Sequence, residues 1–253
     1  MNSYKLFSTV LFLIFGLTPS LGATPSTSPG KVYILCYHTF LGKPKIYTDF
    51  SISEFKNHIQ FLKKNHVNFI QFSDLLHHNF SGDKNVLLVI DDGNISTLQA
   101  YQSVLKPLQI KPLLALYPGV INSRKFALTW DQVNQMKTDG CEIASHGFFH
   151  EFLTEKFAKA HPDRFRDEFY RSKKDLESHT GLAIHWFVYP FGITSNAAVS
   201  TLKQAGYQYA FTIESRPLKG PLSAYNSYLI PRFMITRQTA KQVLQTIAQT
   251  PFK

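Results

Sequence analysis

The chain has 253 residues, of which 44% are hydrophobic and 17% charged. A chain of this length and apolar content can bury one large core, so we expect a single α/β domain of barrel size. The net charge is +10, but the Lys and Arg residues are scattered rather than clustered, which excludes nucleic acid as an expected partner. A basic surface instead favours peripheral association with an anionic cell envelope.

Residues 1–23 have the layout of a secretory signal peptide. Lys5 precedes a short apolar run at 6–17, and a turn and small residues follow that run. We expect cleavage at the end of this segment, which predicts a secreted or periplasmic protein, while an uncleaved anchor is the alternative. Residues 24–30 contain Pro, Ser and Thr and predict a flexible lead-in to one domain at 31–253.

Short apolar runs alternate with segments of helical periodicity along the remainder of the chain. We predict strands at 31–38, 67–72, 85–91, 111–117, 141–146, 184–190 and 207–213, and a further strand at 229–235. Strands that alternate with helices imply parallel βα units, and this number of units in one chain predicts a barrel.

Four helices are predicted between these strands from apolar spacing and capping residues. Ser51 or Ser53 is expected to cap the first helix, and Thr129 is expected to cap the second. Helical spacing is also present at 163–180 and 195–205. Because no linker or repeat interrupts this order, the pattern predicts one domain.

Polar side chains stand at the C-terminal ends of four predicted strands. They are His38, Asp91-Asp92, His146 and the segment Tyr189-Pro190-Phe191. In a parallel barrel the active site lies at this rim, because the strand ends converge there. Each motif taken singly has a structural explanation, as a turn or a hydrogen-bonded core histidine. Candidate residues at the C-terminal ends of four predicted strands together indicate a functional site.

The chemistry indicated by these residues is that of a metal hydrolase. Asp91-Asp92 is followed, 54 residues on, by His146 and His150. One carboxylate and two imidazoles can form a three-ligand face on a divalent ion, which leaves positions open for water and substrate. The second carboxylate is suited to accept a proton from that water.

The two cysteines are expected to be buried free thiols. Cys36 has the same strand parity as His38, whereas Cys141 has the opposite parity to His146. Side chains alternate between the two faces of a strand, so histidines that point into one site would place the cysteines on different sides of the sheet.

Three motifs in this order resemble those of the polysaccharide deacetylases, the NodB-homology or carbohydrate esterase family 4 group. Residues 89–93, Val-Ile-Asp-Asp-Gly, resemble the family's Thr-Phe-Asp-Asp-Gly motif. Residues 145–150, Ser-His-Gly-Phe-Phe-His, are similar to its His-Ser/Thr-x-x-His motif, and 187–192, Phe-Val-Tyr-Pro-Phe-Gly, to its third motif. Residues 34–38, Ile-Leu-Cys-Tyr-His, resemble the opening strand of the branch that includes poly-N-acetylglucosamine deacetylases. The resemblance covers about residues 31–236.

This resemblance implies a distorted, incomplete (β/α) barrel with about seven parallel strands. It implies a divalent metal, most readily zinc with nickel or cobalt as alternatives, held by Asp92, His146 and His150. Asp91 matches the family's catalytic base. The implied reaction is removal of acetyl groups from N-acetylhexosamine units of a polysaccharide, with 31–253 as the catalytic domain.

The sequence also departs from the family pattern. Gly147 replaces the usual Ser or Thr after the first histidine ligand, and Val188 stands where many members have an Arg that contacts the base. We expect Arg232 to supply that charge from a later strand. The family's usual acid, a Leu-x-His near the C-terminus, is missing, and His38 is our candidate for the acid because it ends a neighbouring strand.

Substrate contacts are predicted at four residues near the rim: Tyr189, Pro190, Phe191 and Arg232. Poly-β-1,6-N-acetylglucosamine, peptidoglycan and chitin-like oligomers present the same acetamide, so the polymer stays open, as does the oligomeric state. A catalytically silent protein that binds glycan or serves in envelope assembly is one alternative, and an O-acetyl esterase is another. A non-haem iron oxygenase would also use two histidines and a carboxylate, but its usual antiparallel fold conflicts with the βα pattern.

Overall fold

The computed structural model describes residues 30–250, and the predicted signal peptide lies outside them. Within that range, every helix is too short or too polar to cross a membrane. The strands are β1 (Lys31–Tyr37), β2 (Asn68–Ile70), β3 (Asn85–Asp92), β4 (Leu113–Leu116), β5 (Glu142–Ser145), β6 (Trp186–Val188), β7 (Tyr209–Phe211), β8 (Leu218–Lys219) and β9 (Phe233–Met234). The helices are α1 (Ile52–Lys64), α2 (Phe72–His77), α3 (Ser96–Ala100), α4 (Trp130–Thr138), α5 (Glu155–Ala160), α6 (Pro162–Asp167), α7 (Tyr170–Thr180), α8 (Asn196–Gln204) and α9 (Ala240–Gln249).

The strands form one curled sheet in the order β7-β6-β5-β4-β3-β1-β8, with β2 added to β3 and β9 added to β1. Each ladder is parallel except that of β8 with β1. The stretch 230–234 joins the two ends of the sheet, because Ile230 bridges Phe211 at the end of β7 while β9 pairs with β1. The predicted distorted (β/α) barrel is therefore confirmed.

The strand count differs slightly from the prediction. Within residues 30–250, eight strands run parallel rather than about seven, and the antiparallel β8 was not predicted. A strand of two residues, Leu218–Lys219, is too short for alternation to be visible in the sequence. All eight predicted strand positions contain a strand, and most of these strands are shorter than predicted.

Capping residues explain where the predicted helices begin. Ser51, rather than Ser53, caps α1: its hydroxyl accepts a bond from the backbone N–H of Glu54, whose carboxylate accepts one from the N–H of Ser51. Thr129 and Gln132 form the same reciprocal pair at the start of α4. These caps confirm the first two helices as predicted.

The predicted helix at 163–180 is wrong in one respect. It is two helices, α6 and α7, separated at Glu168 and Phe169. The break turns the Glu168 side chain inward, where it is fully buried. Other helices, including α2, α3, α5 and α9, were not predicted.

Side chains of β1 alternate between two apolar layers. Val32 and Ile34 pack inside the curled sheet, whereas Tyr33, Leu35 and Tyr37 pack between the sheet and the helices. The site therefore lies above a dry barrel interior, and the helices cover the outer face of the sheet.

The cysteine prediction is confirmed. Cys36 and Cys141 are both buried and free. Cys36 shares the inward parity of Val32 and Ile34, while Cys141 belongs to the layer beneath the helices. The sheet itself separates the two thiols.

Candidate metal centre

The charged and histidine side chains predicted at the strand ends meet in one pocket of about 190 Å³ at the C-terminal edge of the sheet. The position follows from parallel pairing, which brings the carboxyl ends of β1, β3 and β5 to the same edge. Its lining includes His38, Tyr47, Asp91, Asp92, His146, His150, Phe191 and Arg232.

Three side chains present ligand atoms at spacings that suit a metal ion. Asp92 Oδ1 lies 3.3 Å from His150 Nε2 and 3.6 Å from His146 Nε2. The two histidine Nε2 atoms are 3.2 Å apart. Neighbouring ligands of a tetrahedral ion with bonds of about 2.0–2.1 Å are separated by about 3.3 Å. Asp92 Oδ1 is also buried without a hydrogen bond among the described residues, so the donor set fits a divalent cation.

The surroundings of His146 prepare it as a ligand. Its Nδ1 lies 2.8 Å from the carbonyl oxygen of Val188, which can only accept, so Nδ1 holds the proton and Nε2 faces Asp92 with a free lone pair. Burial lowers the pKa of His146 to about 4. The imidazole is therefore neutral at ordinary pH.

Two of the three ligand atoms depend on unusual backbone conformations. Asp92 has φ +77° and His150 has φ +65°, both in the left-handed region. Such a residue costs of order 1–3 kcal/mol and persists only where the surrounding structure enforces it. Strain of this kind clusters at functional sites, and here it aims both side chains at His146.

Glu168 holds the loop between the two histidine ligands from behind. Its carboxylate accepts hydrogen bonds from the backbone N–H groups of Phe148, at 2.8 Å, and Phe149, at 3.0 Å. A Cβ placed on Gly147 would overlap Glu168 Oε2. The glycine that departs from the family pattern is therefore explained, because the carboxylate fills the space that a side chain would need.

Sequence reasoning missed Glu168. Burial raises the pKa of this carboxyl to about 7. The residue stands within a stretch of mostly charged side chains, 163–168, that looks like a solvated helix face. The nearby rings of Phe148 and Phe149 lie under the guanidinium groups of Arg171 and Arg164, at 3.9 and 4.0 Å, which makes both phenylalanines packing residues.

Asp91 is fully enclosed by charged and polar partners. Arg232 Nη1 donates to Asp91 Oδ1 at 2.9 Å and to Oδ2 at 3.1 Å, and the Cys36 thiol donates to Oδ2 at 3.2 Å. Burial alone would raise the pKa of Asp91, but the charge and hydrogen bonds of Arg232, together with the nearby His146 and His38, outweigh burial and hold the pKa well below its usual value. Asp91 is thus ionised at neutral pH. Arg232 supplies from the 230–234 stretch the charge expected at Val188.

His38 lies in the wall of the same pocket. It is half-buried, its Nδ1 is 3.9 Å from the Cys36 sulfur, and His38, Cys36 and Asp91 offer ligand-type atoms within 4.8 Å of one another. The structure therefore brings His38 to the carboxylates, as its position at the end of β1 suggested.

Only two of the four predicted substrate contacts lie at the pocket. Tyr189 is fully buried with Phe187 in the layer beneath the helices, since both residues point to the outer face of the sheet, and Pro190 is buried as well. Neither lines the pocket, which corrects that part of the prediction. Phe191 is 46% exposed and lines the pocket, and Arg232 reaches it as the partner of Asp91.

Two further aromatic residues at the pocket were missed. Phe152 stacks on Phe191 with ring centroids 4.0 Å apart, and Phe191 contacts the His150 ring at 4.5 Å. Tyr47 lines the pocket from the loop after β1 and is 60% exposed. Neither residue has a sequence signal, because each stands in a connection without periodicity.

Comparison with known families and proteins agrees with this geometry. A family model described as polysaccharide deacetylase matches residues 78–210, more than half of the chain. The poly-β-1,6-N-acetyl-D-glucosamine N-deacetylase of Staphylococcus epidermidis is 23% identical over 209 residues, which cover 76% of this chain and 70% of that protein. The enzyme of the same name from Staphylococcus aureus is 22% identical over 220 residues, covering 81% and 75%.

Solved structures show the same fold. IcaB from Ammonifex degensii superposes with a TM-score of 0.74 at 23% identity, covering 87% of this chain and 98% of that one. The Streptococcus pyogenes deacetylase PplD, solved in complex with acetate, also gives 0.74, at 22% identity, covering 87% and 99%.

Proposed function

Since the chain belongs to the polysaccharide deacetylase family, we propose that it is a metal-dependent hydrolase of N-acetyl groups on a polysaccharide that contains N-acetylglucosamine. The observation that supports this most directly is the Asp92, His146 and His150 cluster with a second, anionic carboxylate beside it. Poly-β-1,6-N-acetylglucosamine is the first candidate substrate, because relatives over three quarters of the chain are named for that activity.

Asp92 Oδ1, His146 Nε2 and His150 Nε2 would hold the divalent ion, with zinc first and nickel or cobalt as alternatives. When bound, such an ion acidifies a water molecule and polarises a carbonyl oxygen. The residues hold their ligand atoms ready for it, since burial keeps His146 neutral and the Val188 carbonyl fixes its tautomer.

Asp91 would act as the general base that takes the proton from the attacking water. Its Oδ2 lies 3.7 Å from His146 Nε2, so the carboxylate borders the ligand cluster. Arg232 and Cys36 donate hydrogen bonds to the carboxylate and fix its orientation. An ionised carboxylate held next to the reacting water has the position that a general base needs.

His38 would protonate the departing amine. It lines the pocket with Asp91 and is partly exposed, and an imidazole is a common general acid in enzymes. Phe191, which projects beside His150, would contact the sugar.

The chain outside the described residues has a proposed role as well. Residues 1–23 would direct export as a signal peptide, and 31–253 would form the catalytic domain. An exported enzyme would meet envelope or extracellular polysaccharide, and the net charge of +10 favours peripheral contact with an anionic envelope.

The test is acetate release by the purified protein, metal-loaded and after chelation, with Asp92→Ala beside it. Substrates would be β-1,6- and β-1,4-linked N-acetylglucosamine oligomers and peptidoglycan. Release that needs both metal and Asp92 would support the proposal, and the preferred polymer would identify the substrate. Metal binding without release from any of them would contradict it and favour the silent glycan-binding protein, or an O-acetyl esterase if O-acetylated glycan is cleaved.

A further inference from the structure

A second group of ligand-type side chains lies beside the candidate metal centre. It consists of Cys36, His38 and Asp91, whose ligand atoms all lie within 4.8 Å of one another. Cys36 and His38 stand at the end of β1, and Asp91 stands at the same end of β3, which pairs with β1 in parallel. A thiol, an imidazole and a carboxylate held this close together are suitable ligands for a thiophilic divalent ion such as zinc.

The spacing of these atoms suits a tetrahedral ion. The Cys36 sulfur lies 3.9 Å from His38 Nδ1 and 3.2 Å from Asp91 Oδ2. Zinc bonds of about 2.3 Å to sulfur and about 2.0–2.2 Å to nitrogen or oxygen place the sulfur about 3.6 Å from the other ligand atoms. One observed distance is slightly longer than this value and the other slightly shorter, so small side-chain movements would close the group around an ion.

The proton of the Cys36 thiol occupies the place that the ion would take. Cys36 donates this proton to Asp91 Oδ2, while Arg232 Nη1 donates to both oxygens of the same carboxylate. A carboxylate oxygen has two lone pairs, so an ion that replaces the thiol proton leaves the Arg232 bonds in place. Binding would release the proton from sulfur to solvent and leave a thiolate on the ion. The group can thus exchange one proton for one divalent ion.

The group can be reached from the pocket. His38 and Asp91 line the pocket, and His38 is half-buried, whereas Cys36 is completely buried behind them. An ion in the pocket therefore meets two ligands at the wall and the third directly behind it. Cys141 is buried in the layer beneath the helices, on the other side of the sheet. Of the two thiols in the sequence, only Cys36 can join a site at the pocket.

We propose that Cys36, His38 and Asp91 form a second site for a thiophilic divalent ion, and that an ion bound there inhibits turnover. Asp91 and His38 are the proposed base and acid, so an ion held by both would occupy the groups that move protons. The inhibition rests on the proposed function, whereas the site does not. Because Arg232 already neutralises Asp91, and an ion at the candidate metal centre adds positive charge close by, the second site should fill after the first.

Titration of the metal-free protein with Cd²⁺ tests the site directly. Calorimetry counts the bound equivalents, and ultraviolet absorption records the sulfur-to-cadmium charge-transfer band. The wild type should bind two equivalents per chain, and the band should grow with the second. Cys36→Ser keeps a hydroxyl donor for Asp91 but lacks the thiolate, so it should bind one equivalent and show no band. Cys141→Ser is the matched control and should behave as the wild type.

Titration with Zn²⁺ tests the inhibition. Acetate release by the wild type should rise with the first equivalent and fall as further zinc binds, whereas Cys36→Ser should keep its own maximum in excess zinc. His38→Ala provides a second variant in case Cys36→Ser does not fold, because His38 is partly exposed. It should weaken the second binding step more than about 10-fold, since losing even a hydrogen-bond partner of a ligand costs a metal site about 10- to 100-fold in affinity.

Four results separate the site, the inhibition and the proposed function. A wild type that binds one equivalent of cadmium, or a thiolate band that survives in Cys36→Ser, would overturn the site. A band that grows without any loss of acetate release would overturn the inhibition. A band with the second equivalent, in a protein that releases no acetate at any zinc concentration, would leave the site standing and overturn the proposed function together with the inhibition.

Discussion

The side chains at the floor of the pocket and those at its rim differ in burial and in hydrogen bonding. At the floor, side chains are buried and hydrogen-bonded to one another or to the backbone, which fixes their protonation states and positions. At the rim, the rings are about half exposed to solvent. The floor is Cys36, Asp91, His146 and Arg232, and the rim is Tyr47, Phe152 and Phe191. This division predicts that floor substitutions change turnover and stability, whereas rim substitutions leave the unfolding free energy nearly unchanged.

The largest expected effect at the floor is that of Asp91→Asn. The amide keeps the shape of the side chain but cannot accept the proton, so kcat should fall by about 10³ or more, within the range for a lost general base. Acetate release measures this fall, and metal content should be unchanged because Asp92, His146 and His150 are intact. A variant that kept a tenth of wild-type turnover would remove Asp91 from the base role.

Arg232→Met tests whether the floor depends on paired charge. Without Arg232 the buried Asp91 carboxylate loses its main counter-charge, which should cost about 3–5 kcal/mol of unfolding free energy. Urea denaturation measures this cost. The double variant Asp91→Asn with Arg232→Met should recover at least half of it, because no unpaired charge remains. A single variant that lost less than 1 kcal/mol would show that the pair is not structural.

Glu168, which binds the backbone between His146 and His150, should make the stability of the fold depend on pH. Its pKa is about 7 in the fold and near 4.5 when exposed, so the fold favours the protonated form. The stabilisation that Glu168 contributes is therefore complete below pH 4.5 and is lost as the pH rises through 7. The loss is at most about 3 kcal/mol, at 1.36 kcal/mol per pKa unit. Denaturation of metal-free protein at pH 5 and pH 8 should show this loss in the wild type and not in Glu168→Gln. Parallel pH curves for the two proteins would contradict the burial argument.

His38→Ala should lower kcat by about 10² if His38 is the acid, which is the low end for acid–base catalysis. Because His38 is partly exposed, its removal should leave the unfolding free energy nearly unchanged, unlike Arg232→Met. A substrate with an activated leaving group should lose less, since it needs less protonation. Near-wild-type turnover of the polysaccharide would exclude the role.

The sequence predicted the site residues whose positions follow from where a strand ends. Apolar runs gave the strands, and parallel pairing then brought His38, Asp91, Asp92 and His146 to one edge. Arg232 could be anticipated because an expected charge was missing at Val188. The strand-end inferences needed only strand order and the position of a strand's end, whereas the Arg232 inference also needed the resemblance to the family.

The sequence could not predict contacts between side chains and loops that lie far apart along the chain. The Glu168 carboxylate meets backbone N–H groups 19 and 20 residues away only because a helix breaks beside it. The stacking of Phe152 on Phe191 joins two loops with no periodicity. Tyr189 was misplaced because β6 is too short for its sequence to show which face is inward.

The smallest expected effect is that of Tyr47→Ala on the unfolding free energy. Tyr37, ten residues earlier, gives the matched buried comparison. Tyr37 is fully buried among Phe40 and Phe55, whereas Tyr47 is 60% exposed at the rim. Tyr37→Ala should cost about 3–5 kcal/mol of unfolding free energy, as for other large buried rings, and Tyr47→Ala should change it by no more than about 0.5 kcal/mol. Thermal and urea denaturation give both values. If Tyr47→Ala destabilised the fold as Tyr37→Ala does, the rim would be part of the packed structure, and its exposed rings would need no ligand to explain them.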